Sequence, residues 1–230
     1  MHFETFILAF ILMAVCTFFV TLFLKAFYHK KFKSALIYKG LASLCFIVVG
    51  AINFFTTEFS FVTLIIFVGL CWGIIGDEII AVCQIHSKHD TLFFLSGGAC
   101  FIVGHVLYIL AMFLLGEPNV IALVISFLAI IVLCVLYERR RKFLVGKMKN
   151  SLMLYISIVI FFSAIGIATF IRRGTMGSAL FALGGALFTI SDNILFAFKF
   201  GARPRYYQNV ALHIAYYLAQ FMIAWSIVAL

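Results

Sequence analysis

The stretch SFVTLIIFVGLCWGIIGDEIIAVC, Ser60 to Cys83, decides the fold. From Ser60 to Gly76 it holds no charged residue. As a helix the whole stretch would be about 36 Å long at about 1.5 Å per residue, enough to cross a hydrocarbon core of roughly 30 Å. Similar runs lie near 3–27, 36–54, 91–115, 118–137, 151–172, 176–199 and 206–229, separated by charge clusters and by Gly, Pro or Asn. The chain of 230 residues is 66% hydrophobic and 11% charged, where a soluble domain carries about 25% charged residues. That supply cannot clothe a water-soluble surface. The predicted fold class is therefore all-α: a polytopic transmembrane helix bundle of about eight spans, forming a single integral membrane domain over 1–230.

The first span begins at Phe3 without a basic n-region or a small-residue cleavage site, so it is expected to be a permanent helix. Cys16, Cys45, Cys71, Cys83, Cys100 and Cys134 are scattered through apolar runs without metal-ligand spacing, and packing is their expected role. The net charge of +9 could suggest nucleic acid. The basic residues lie in the short connections, however, and no nucleic-acid partner is expected.

Those connections carry a topological signal. The odd ones hold Lys25, Lys30, Lys31, Lys33 and Lys39, then Lys88, then Arg139, Arg140, Arg141, Lys142, Lys147 and Lys149, then Lys199, Arg203 and Arg205. The even ones hold only Arg172 and Arg173. Positive residues collect on the cytoplasmic side, which puts both termini outside.

An internal echo at an offset of 115 residues sets Gly76-Asp77-Glu78-Ile79-Ile80 against Ser191-Asp192-Asn193-Ile194-Leu195, and His105 against Gln220. It is the signature of two parallel four-helix repeats about an axis along the membrane normal, although two apolar helices can also resemble one another by chance. If the repeat is real, Asp77 and Asp192 face one central cavity at similar depth.

An ionisable side chain inside a span costs on the order of 3 kcal/mol on insertion scales, so each one needs a reason. Asp77, Glu78 and Asp192 are the acids well within spans; Glu4, Glu58, Asp90, Glu117 and Glu138 fall at ends or in loops. One isolated Asp can simply pair with a neighbouring helix, but two at matching depth favour a shared site. Polar residues at helical spacing accompany them: Gly69, Gly73 and Gly76 beside Asp77; Gly185 and Thr189 beside Asp192; His105 with Tyr108; and Asn209, His213, Tyr216 or Tyr217, and Gln220 along the last span. Four polar faces need an interior to point into. His105 alone reads more readily as a hydrogen-bonded core histidine than as a catalytic one. Glu78 is turned about 100° from Asp77 and is expected to meet a lysine near the interface.

Gly76-Asp77, Gly104-His105 with Tyr108, the run Gly185-Ala186-Leu187-Phe188-Thr189-Ile190-Ser191-Asp192, and Tyr216-Tyr217-Leu218-Ala219-Gln220 together resemble the YhhN-type lysoplasmalogenases. These are multi-span membrane hydrolases that cleave the vinyl ether bond of lysoplasmalogens. Lys39-Gly40 stands where that family usually has Lys-Pro, and Glu78 where it commonly has an apolar residue. The resemblance implies Asp77 and Asp192 as catalytic residues, one as the acid and the other as the base or charge stabiliser; the sequence leaves the order open, and Asp192 is chosen as the acid. His105, Tyr108, Tyr216 and Gln220 would orient water and glycerol oxygens, and Lys39 would hold the phosphate. It implies a lysophospholipid substrate in the bilayer, products of a fatty aldehyde and glycerophosphoethanolamine or glycerophosphocholine, no cofactor and no metal. With no targeting signal, it also points to a bacterial cytoplasmic membrane. Two other readings share the same acids: a proton-coupled transporter, which the absence of Pro from the spans does not encourage, and a non-catalytic lipid-binding protein whose polar stripes only hold helices together.

Overall fold

The computed structural model describes residues 3–83, 89–116, 118–141, 148–201 and 205–230. Eight α-helices account for nearly all of them: α1 (Phe3–Tyr28), α2 (Phe32–Thr56), α3 (Phe61–Val82), α4 (Asp90–Leu114), α5 (Val120–Arg141), α6 (Lys149–Arg173), α7 (Met176–Phe200) and α8 (Tyr206–Ser226). Six of them are long and apolar enough to cross a membrane. In α5 the apolar stretch Val120–Leu136 is shorter, and α8 carries the polar stripe seen in the sequence. The protein is an integral membrane helical bundle.

Several ends have local causes. Ser60 caps α3 by accepting from the Val62 N–H, and Thr175 caps α7 by accepting from the Ser178 N–H. Gly174 ends α6 in the left-handed conformation at φ 63°, which a residue with a Cβ adopts at a cost. α5 runs about a turn further than its apolar stretch, so Arg139, Arg140 and Arg141 continue the helix rather than open the loop. Lys88, Glu117, Lys142, Lys147 and Arg203 lie outside the described residues.

The burial pattern is that of a membrane protein. Large apolar side chains such as Phe10, Phe18, Ile121 and Leu133 stand on the outer surface, while Lys39, Ser43, Asn53, Asp77, His105, Asp192, Asn209, His213 and Gln220 are buried. Lipid solvates the former; the latter find partners only inside.

Packing repeats when four is added to the helix number. α1 lies on α2 as α5 lies on α6, α2 on α3 as α6 on α7, α3 on α4 as α7 on α8, and α2 on α8 as α6 on α4. The register repeats as well. A Cβ on Gly76 would lie 2.8 Å from the Gly97 carbonyl oxygen, and 115 residues later the Ser191 hydroxyl donates to the Leu212 carbonyl at 3.1 Å. Gly69 is covered by the Tyr108 ring as Gly184 is by Ile223, and Gly69 abuts Gly104 as Gly184 abuts Ala219. The echo in the sequence is thus a repeat in the packing of two parallel halves.

Candidate active site

Asp77 and Asp192 occupy equivalent places in the two halves, each about two turns or less from the helix end that carries a basic connection. They line one cavity of about 80 Å³. Two further repeat-related pairs share its wall, Ile80 with Leu195 and Phe101 with Tyr216, so the space lies between the halves. Lys39, Ser191, Asn209 and His213 complete its polar lining.

The carboxyls differ in what holds them. Asp77 forms a buried ion pair with Lys39, Oδ1 to Nζ at 2.7 Å, and the same Nζ donates to the Asp77 backbone carbonyl at 3.1 Å. The Ser43 hydroxyl donates to Oδ2 at 2.7 Å and lies 3.3 Å from the Tyr217 hydroxyl, which in turn donates to the Lys39 carbonyl at 3.4 Å. α2, α3 and α8 are therefore tied together around a compensated negative charge. Asp192 has one described partner, the Tyr155 hydroxyl of α6, which donates to Oδ2 at 2.9 Å. No cation lies within salt-bridge distance of Asp192 among the described residues.

The structure brings together some of the residues singled out in the sequence. Tyr216 and Lys39 line the cavity with the two acids. Lys39 stands about two turns inside α2, buried on Asp77 rather than free at the mouth of the span. His105, Tyr108 and Gln220 sit farther from the basic end. Gln220 reaches the cavity wall by donating from Nε2 to the Tyr216 hydroxyl at 3.1 Å. His105 is enclosed by the rings of Phe101, Tyr108, Tyr155, Phe162 and Phe188. His105 Nδ1, the Tyr108 hydroxyl and Gln220 Oε1 are buried without a hydrogen-bond partner among the described residues; such groups call for a hydrogen-bonding occupant.

Glu78 makes no salt bridge among the described residues. It rests against α2, where a Cβ on Gly40 would lie 3.4 Å from its Oε1, and that oxygen has no hydrogen-bond partner among the described residues. Lys39, the buried lysine of this region, forms its ion pair with Asp77 instead.

Sequence reading passed over Ser43 and Tyr155, each one hydroxyl among several in its span. A signal for Tyr155 exists only once the repeat is accepted: α6 supports Asp192 as α2 supports Asp77. His213, noted only as part of the α8 stripe, also reaches the cavity; its Nδ1 lies 2.7 Å from the Asn209 carbonyl, and its ring packs on Phe23.

The YhhN family model matches residues 34–227, which includes every residue of this site except Phe23. The chain belongs to the YhhN family, the family of lysoplasmalogenases. No curated protein and no solved structure matches it. Family membership covers seven of the eight helices, from α2 to α8, and marks the chain as a lysoplasmalogenase-type membrane protein.

Proposed function

We propose that this protein hydrolyses the vinyl ether bond of lysoplasmalogens, releasing a fatty aldehyde and glycerophosphoethanolamine or glycerophosphocholine. The observation that carries the reading is the pair of carboxyls on one small intramembrane cavity, one with its counter-ion and one without a counter-ion among the described residues.

Vinyl ether hydrolysis needs a proton at the β-carbon and an anion near the cation that results. Asp192, the carboxyl without a counter-ion, delivers the proton. The double-bond electrons form the new C–H bond, and the ether oxygen donates a lone pair to give an oxocarbenium ion. Asp77 stabilises that cation and takes a proton from the water that adds to the carbon bearing oxygen. The hemiacetal then collapses: Asp192 takes its hydroxyl proton as the carbonyl forms, the C–O bond to glycerol breaks, the glycerol oxygen takes the proton that Asp77 holds, and the aldehyde leaves. One water is consumed and both carboxyls regain their starting states. Two nearby carboxyls that cannot both ionise readily in a dry site provide this division of labour, as they do for the related cation in glycosidases.

Lys39 keeps Asp77 charged and in place, and as a cation on the cavity wall it can also attract the phosphate. Tyr216, oriented by Gln220, and the unpartnered groups of His105 and Tyr108 would hold water or glycerol oxygens. The cavity needs no metal for this chemistry, and no group of three or more His, Cys, Asp or Glu able to hold one occurs among the described residues.

The test offers purified protein a lysoplasmenyl lipid and its 1-alkyl ether analogue. Equal amounts of aldehyde and glycerophospho-alcohol from the first, and nothing from the second, are expected. Proton flux in proteoliposomes without aldehyde release would replace this reading with the transporter.

A further inference from the structure

Beside the carboxyl cavity lies a second, larger space of about 270 Å³ between α4 and α6, closed at one side by the ends of α3 and α7. Its walls are apolar apart from Ser151 and the Tyr155 hydroxyl. Two features join it to the first cavity. Ile80 and Leu195, the repeat-related pair, line both spaces. The Tyr155 ring forms part of the apolar wall while its hydroxyl holds Asp192. On its other side the space reaches Leu154, whose side chain is 60% exposed on the outer surface of the bundle.

Resting on the hydrolase reading, we propose that this space receives the alkenyl chain of the substrate, which enters sideways from the bilayer between α4 and α6. A lysolipid has one hydrocarbon chain, and pulling it whole from the bilayer into a closed polar site would discard its burial, worth about 0.8 kcal/mol per methylene. A lateral apolar opening next to Asp192 lets the first carbons meet the acid while the far end stays in lipid. An apolar cavity of about 150 Å³ holds benzene, so by proportion this one takes on the order of ten carbons. A larger groove of about 430 Å³ runs along α5, α6 and α7. It shares no wall residue with the carboxyl cavity, so a chain lying there would not lead to Asp192.

Gly98 provides the test because it faces the pocket with room to spare: a Cβ there would meet only the Tyr155 ring, at 3.9 Å. Gly98→Phe fills the space without displacing backbone. The ratio of kcat/KM for a long-chain over a short-chain lysoplasmenyl lipid is expected to fall roughly tenfold or more, since even one methylene in a shaped apolar pocket is worth that much. An unchanged ratio overturns the assignment. A second readout does not depend on turnover. A lysophospholipid carrying a diazirine within about the first ten carbons of its chain should crosslink to α4 between 95 and 102 or to α6 between 151 and 155, and Gly98→Phe should abolish the adduct. Crosslinking confined to the α5–α7 groove overturns the proposal. Crosslinking at α4 or α6 in a protein that releases no aldehyde keeps the chain site and removes the hydrolase.

Discussion

At the residue scale, the Lys39–Asp77 pair matters most for stability. A buried ion pair adds little over an apolar replacement of both partners, but removing one leaves the other charge stranded, at a cost of about 3–5 kcal/mol. Lys39→Met is therefore expected to lower the Tm in detergent sharply, and adding Asp77→Asn should recover part of the loss. The same argument separates the two acids as experimental targets. Asp77→Asn strands Lys39 and mixes folding with chemistry, whereas Asp192→Asn keeps a hydrogen-bond acceptor for Tyr155 and strands no cation. A second prediction concerns pH. On the proposed mechanism one carboxyl acts as the acid and the other as the anion, so activity should fall toward both acid and alkaline pH. A bell-shaped profile in kcat/KM checks this; a single limb would mean that only one carboxyl takes part. Sequence made both acids visible, because charges in spans are conspicuous. Their partners were harder to see: Ser43 and Tyr155 look like ordinary span residues until folding brings them to a carboxyl.

At the element scale, helix boundaries were readable because the hydrocarbon thickness sets both the length and the composition of each span. The bounds differ chiefly where charge continues a helix, as at Arg139–Arg141 in α5 and before Lys39 in α2, since charged residues can extend a helix into the headgroup region. The packing of α3 on α4 was only partly legible. Gly69, Gly73 and Gly76 signalled close approach, but not which helix approaches. Gly76 meets the Gly97 backbone, and a Cβ there would lie 2.8 Å from a carbonyl oxygen that cannot swing aside. Gly76→Ala should therefore cost about 1–3 kcal/mol by forcing α3 and α4 apart, and it should also shift the adjacent Asp77. Thermal unfolding, together with turnover per folded molecule, measures both effects. A variant as stable and active as the parent would show that the helices do not meet there.

At the scale of the whole molecule, the 115-residue repeat explains why the site is central. Two four-helix halves bring equivalent acids to a shared cavity, where one is held by a lysine and the other by a tyrosine. Sequence alone left the repeat open to chance because its few matched residues are common in apolar helices; the recurring contacts of α3 with α4 and α7 with α8 carry the information that identity does not. On the topology expected from the segregation of basic residues, the site would lie in the cytoplasmic half, with both termini outside. A cysteine at position 139 in a cysteine-free background should resist an impermeant thiol reagent in intact cells, while one at 116 should react. The opposite pattern would invert the protein. The central claim is that Asp192 supplies the proton for vinyl ether cleavage, and aldehyde release by purified Asp192→Asn tests it most directly. General acid catalysis contributes about 10²- to 10⁴-fold, so turnover should drop by at least about a hundredfold with the Tm held; turnover near that of the parent would contradict the account.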